Sequence, residues 1–190
     1  MNRTTGFGVA LAGLAMVAIA SAADVQSGPK VGQSIGAFNV VKCAGAPDDG
    51  IALGRTLCYR CRYGNRPVVM IFARKTDDHL ASLVKQIDKL VGENADKGMK
   101  AFVNVLGEDR ATLEDAAKEF GKDEKFENVP ITVPVEFENG PANFGINPRA
   151  ETVVVLYVGR KVVANHAAGP GEANDDFVKE VVQDVPKILK

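Results

Sequence analysis

Two apolar runs rich in β-branched residues, RPVVMIFAR (66–74) and MKAFVNVLG (99–107), flank one helix-patterned stretch, and no other feature restricts the fold so tightly. Runs of this kind suit strands buried on both faces. Between them Leu80, Leu83, Val84, Ile87, Leu90 and Val91 recur at three- and four-residue spacing, the pattern of one apolar helical face. Thr76 is the expected N-cap, with Asp77 and Asp78 favouring the positive end of the helix. A strand, a crossover helix and a second strand imply parallel pairing, which fixes an α/β architecture.

The flanking segments extend that unit. EDRATLEDAAKEFG predicts a second helix with Leu113, Ala116, Ala117 and Phe120 inward, followed by the strand VPITVPV and a long loop from Glu138 to Ala150. TVVVLYVGRKVVANHA reads as a hairpin turning at Gly159 and Arg160. The closing helix directs Phe177, Val181, Val182, Val185 and Leu189 inward and is distorted at Pro186. Upstream, GAFNVVKCA and GIALGRTL surround the turn-rich GAPDDG, so an N-terminal hairpin is expected.

The first residues combine Arg3, an apolar run to Ala20 and a small-residue site at Ala20, Ser21 and Ala22. They read as a cleaved signal peptide, residues 1–22, because the run is shorter than a spanning helix needs and Gly8 and Gly13 interrupt it. No cysteine stands at the cleavage point for lipid attachment. Residues 23–190 then form one exported domain, periplasmic or secreted, with no membrane association after cleavage. Cleavage removes a single charged side chain, leaving 22 basic against 24 acidic residues. A near-neutral domain gives no support for a nucleic-acid partner.

The order of elements resembles the thioredoxin fold, in its peroxiredoxin-like branch. Three local likenesses carry the resemblance: PVVMIFAR is similar to the first core strand, FGINPRAETVVVLYVGRKVV to the stretch through the final hairpin, and Gly169 to the glycine leading to the last helix. It implies a central mixed β-sheet flanked by helices, with the N-terminal β-hairpin as an extension and a strand inserted before the final hairpin. The chain departs from the family where the chemistry should lie. After the first core strand, where relatives carry Cys-x-x-Cys or the peroxide-reacting cysteine, it has KTDDHL. At the family's cis-proline it has Glu151, followed by the usual Thr152, and Pro148 is out of register. Peroxidase activity by the family's mechanism is not expected.

The cysteines are elsewhere. Cys58 and Cys61 stand in TLCYRCRYGNRP, ahead of the first core strand and roughly 20 Å from the usual active edge at about 3.3 Å per residue. No acidic residue occurs between Asp49 and Asp77, whereas Arg55, Arg60, Arg62, Arg66, Arg74 and Lys75 do, and guanidinium groups such as those of Arg60 and Arg62 favour a thiolate. One reading is thiol-disulfide exchange with a protein partner, with Tyr59 and Arg60 tuning the potential. Another is a permanent disulfide in a non-catalytic binding or structural domain. A third is a Cu or Zn site completed by His166, since sulfur and imidazole suit both ions. No organic cofactor is indicated.

Cys43 makes the count odd. If the hairpin turns near Asp48, Cys43 lies across from about Leu53, which favours the local Cys58 to Cys61 pair and leaves Cys43 as a buried small apolar side chain or a third redox thiol. His79, beside Asp77 and Asp78 near a helix start, reads as a solvated imidazole, with a ligand or base as its rival role.

Overall fold

A computed structural model describes residues 25–190, and the expected signal peptide lies outside them. Seven strands form one mixed sheet: β1 (Val40–Ala44), β2 (Thr56–Leu57), β3 (Pro67–Ala73), β4 (Lys100–Val105), β5 (Ile131–Pro134), β6 (Thr152–Val158) and β7 (Lys161–Ala168). Their spatial order is β2-β1-β5-β4-β3-β6-β7. The pairs β3/β4 and β4/β5 are parallel, while β1/β2, β1/β5, β3/β6 and β6/β7 are antiparallel. The buried run 68–73 therefore lies inside the sheet between β4 and β6, where β-branched residues can pack on both faces.

The described residues also form four α-helices: α1 (Tyr59–Tyr63), α2 (Asp78–Glu93), α3 (Arg110–Glu124) and α4 (Asp175–Asp184). The crossovers β3-α2-β4 and β4-α3-β5 advance in the same direction across the sheet, so right-handed connections bring both helices to one face. There Leu80, Leu83, Val84 and Ile87 of α2 and Phe177 and Val181 of α4 share a core with Val69, Ile71, Ala101 and Val103. Full burial of each such aliphatic side chain is worth roughly 1.5–3 kcal/mol relative to exposure. Among the described residues, the opposite face has no long helix. Ile35, Phe38, Tyr59, Tyr63, Phe144 and Ile146 cover it, packing on Val68, Met70, Phe72 and Phe102.

Several local expectations need correction. Asp77, not Thr76, caps α2, its carboxylate accepting the Leu80 N–H at 3.0 Å. Both side chains can cap, but only a residue three before Leu80 meets that N–H in this register. In α3 the inward positions are Leu113, Ala117, Phe120 and Gly121, with Ala116 half-buried at the margin. The register Val40↔Leu57 and Val41↔Thr56 sets Cys43 across from Gly54, one residue from the expected Leu53. At the chain end α4 gives way at Val185–Ile188 to a 3-10 turn carrying Pro186 near its start, the distortion predicted there. Among the described residues, no helix is long and apolar enough to cross a membrane.

Candidate functional site

Cys58 and Cys61 are joined by a disulfide, with Cα atoms 5.2 Å apart. The segment that sequence reasoning left as a lead into β3 is a short helix, α1, and Cys58 is its N-cap. Its Sγ accepts the Cys61 N–H at 3.1 Å, and its carbonyl accepts the Arg62 N–H at 3.0 Å. Cys58 is half-buried and Cys61 exposed.

A five-residue helix is not stable alone, and side chains on either side of Cys61 hold this one down. Tyr59 and Tyr63 are buried against Phe102, with ring centroids 5.8 and 6.0 Å from it and 5.4 Å from each other. The Tyr63 hydroxyl donates to the Ala101 carbonyl at 3.3 Å, and the Tyr59 hydroxyl to Asp49 Oδ2 at 2.5 Å. Asp49 is the hub. Its Oδ1 accepts Lys42 Nζ at 2.7 Å and the Ile51 N–H at 2.8 Å, and its carbonyl accepts Arg62 Nη2 at 2.8 Å. Lys42, in the middle of β1, is as buried as the core valines, and its ammonium also donates to the Ala46 and Ile51 carbonyls at 2.9 and 3.0 Å. Every proton of that ammonium has an acceptor, as a buried cation requires. Sequence reasoning missed this network, although a lysine inside VVKCA was its visible trace.

Burial pushes the Tyr59 hydroxyl well above its ordinary value, with the hydrogen bond to Asp49 adding to the rise. Burial likewise raises Tyr63 and Tyr157, and Arg60 draws Tyr157 part of the way back. The Arg60 Nε and the Tyr157 hydroxyl are both buried without a hydrogen-bond partner among the described residues.

The position expected of a thioredoxin-like active site is filled by an ion pair. Lys75 Nζ donates to Glu151 Oε2 at 2.6 Å, with Glu151 8 % exposed. Arg74 beside it donates to the Ala150 and Glu138 carbonyls and to Asn139 Oδ1, and so anchors the loop after β5. That loop also sinks Phe144 and Ile146 into the core, which accounts for its length. Arg62 and Arg74 thus spend hydrogen bonds on backbone carbonyls, at Asp49 and at the loop respectively.

The remaining candidates do not converge on the disulfide. Cys43 is a free, buried thiol. Along β1, Val40 and Lys42 face the aromatic side with α1, whereas Val41 and Cys43 face the helices, so Cys43 and the disulfide lie on opposite faces of the sheet. Burial pushes the Cys43 thiol up to about 11, with Glu114 contributing. His79 is exposed at the start of α2. His166 is on β7, the edge strand opposite β2, with Nε2 3.2 Å from Asp184 Oδ2. His166 thus packs with Phe177 and Asp184 of α4 on the helical face, whereas α1 packs on Phe102 on the other, so the approach to the cysteines that the metal reading considered is not made. Among the described residues, no group of three His, Cys, Asp or Glu side chains could hold a metal ion.

No protein-family model matches the chain, and no curated protein sequence does. Solved structures match over most of its length. A putative thiol:disulfide interchange protein DsbE from Chlorobium tepidum superposes with a TM-score of 0.62 at 13 % identity, covering 85 % of this chain and 99 % of that one. A putative protein disulfide isomerase from Bacteroides thetaiotaomicron gives 0.61 at 13 %, covering 87 % and 94 %. The yeast mitochondrial 1-Cys peroxiredoxin gives 0.56 at 11 %, covering 83 % and 75 %. At such identities the likeness establishes the fold: an α/β thioredoxin fold, shared with peroxiredoxins, with the cysteine pair ahead of the first core strand.

Proposed function

We propose that this chain is an exported thiol-disulfide exchange protein whose redox couple is the displaced pair Cys58 and Cys61. The observation that carries the reading is the polarity of the disulfide: Cys61 is an exposed residue, and Cys58 is a half-buried one whose sulfur accepts the Cys61 N–H. A partner thiolate attacks Cys61 Sγ, the partner-to-Cys61 bond forms as the Cys58 to Cys61 bond breaks, and the electron pair goes to Cys58. The Cys61 N–H stabilises the departing thiolate, and Arg60 and Arg62 add positive potential from the same helix. A second partner thiolate then attacks the mixed disulfide and releases Cys61, so the partner dithiol is oxidised as this chain is reduced. The reverse sequence reduces a partner disulfide. Export is supported by the leader pattern of residues 1–22. The likeness to a thiol:disulfide interchange protein and a disulfide isomerase supports the reaction class.

One observation favours a second reading, a permanent staple: Tyr59 and Tyr63 are locked into the core on either side of Cys61. Equilibrating the mature protein in a dithiol buffer series and trapping free thiols for mass spectrometry separates the two. A couple between about −120 and −270 mV fits an exchange protein, while one below about −300 mV fits a staple and rejects the proposal. In an exchange protein, Cys58→Ser should trap mixed disulfides through Cys61 faster than Cys61→Ser does through Cys58.

A further inference from the structure

On the helical side of the sheet, away from the disulfide, β1, the connection from β1 to β2, and the end of α3 enclose a groove of about 770 Å³. Its volume falls within the range of small-molecule sites. Cys43, Ala44, Gly45 and Gly121 are the small residues of its lining. A Cβ on Gly121 would stand 2.2 Å from that of Ala44, so the close seating of α3 on β1 requires the glycine. Phe126 also lines the groove.

The two walls differ in chemistry. Pro47, Ile51, Ala52 and Leu53 supply an apolar wall, and Leu53, at 67 % exposure, is among the few large apolar side chains that the described residues leave in solvent. Across from them α3 and its C-cap supply Lys118, Lys122 and Lys125, with Glu127 the only carboxylate in the lining. Lys118 is paired with Asp115, whereas Lys122 and Lys125 make no ion pair among the described residues. An apolar trough with unpaired cations along one side is complementary to a molecule with a hydrocarbon body and an anionic head.

We propose that this groove binds a single-chain anionic amphiphile of the fatty-acid class, its chain lying over Cys43, Ala44 and Gly45 against Leu53 and its carboxylate meeting Lys122 and Lys125. The groove takes in Lys42 and the connection that carries Asp49, but neither cysteine of the disulfide lines it, so ligand binding is read separately from the redox couple.

The test uses titration calorimetry on the mature protein with dodecanoate below its critical micelle concentration. Dodecyltrimethylammonium serves as the probe with the same tail and opposite charge. Dodecanoate should bind saturably at one site and at least tenfold more tightly than the cationic probe. Lys122→Glu combined with Lys125→Asn should weaken it at least tenfold, asparagine being chosen because position 125 has a φ of 55° that it tolerates. Leu53→Glu, at an exposed position that leaves folding intact, should also weaken it. Absence of dodecanoate binding, equal binding of the two probes, or an unchanged affinity in the lysine variant would overturn the proposal. So would a concentration-dependent dimer that buries this face in the ligand-free protein.

Discussion

Asp49→Ala should destabilise the protein far more than its half-exposed turn position suggests. The substitution strands the Lys42 ammonium, whose side chain is 1 % exposed, with only the Ala46 and Ile51 carbonyls, and it removes the acceptor of the Tyr59 hydroxyl. Breaking one partner from a buried ion pair costs about 3–5 kcal/mol. The carboxylate side chain is itself 16 % exposed, so water can enter the space it leaves, which points to about 3 kcal/mol, the lower end. For a domain of this size, that corresponds to a fall in Tm of roughly 6–12 °C. The assay is urea unfolding with the disulfide intact, on Asp49→Ala, Lys42→Met and the double variant. Because the double variant holds no stranded charge, it should be at least as stable as Asp49→Ala alone, showing strong non-additivity. A loss under about 1 kcal/mol for Asp49→Ala, or simple additivity, would refute the assignment of Asp49 as the hub that holds α1.

Alkali should weaken the fold in a defined window. Tyr59, Tyr63, Tyr157 and Cys43 all have raised pKa values in the folded state, so above the ordinary thiol and phenol values the unfolded chain binds fewer protons and stability falls as pH rises. The thiol part of that fall should run from about 9 to about 11 and vanish in Cys43→Ala, as read by urea midpoints against pH; an unchanged slope in that variant would remove Cys43 from the account. Gly121→Ala should cost about 1–2 kcal/mol, the overpacking against Ala44 exceeding what alanine gains as a helix former. A stabilised variant would mean that α3 does not seat on β1 as closely as described.

The elements legible in the sequence were those whose cause is local. Two β-branched runs and a period of three to four residues identify β3, α2 and β4 without tertiary information, and the glycine at 159 marks the turn between β6 and β7. The disulfide pairing was legible for a similar reason, since strand register alone moves Cys43 away from Cys58. What escaped depends on contacts across the chain. Nothing near Lys42 in sequence indicates that Asp49 and two carbonyls will surround its ammonium, or that the same carboxylate will take the Tyr59 hydroxyl. The cis-proline position was located at Glu151, but its pairing with Lys75, 76 residues earlier, follows from β3 and β6 lying side by side. Helix α1 escaped because five residues carry no periodicity to read, and their helical state comes from two tyrosines buried on Phe102.

The separation of the cysteines by the sheet bears on how the chain would mature under oxidising conditions. A lone thiol beside a disulfide is ordinarily a route to scrambling, because it can attack the bridge and release the wrong partner. Here a correctly folded molecule hides Cys43 behind a layer of backbone, so the native bridge cannot be shuffled from within. Either non-native pairing would have to form before β1 enters the sheet, and it would then obstruct that step. The fold thus sorts its own cysteines, and an odd count does not force the chain to depend on an isomerase for correct pairing.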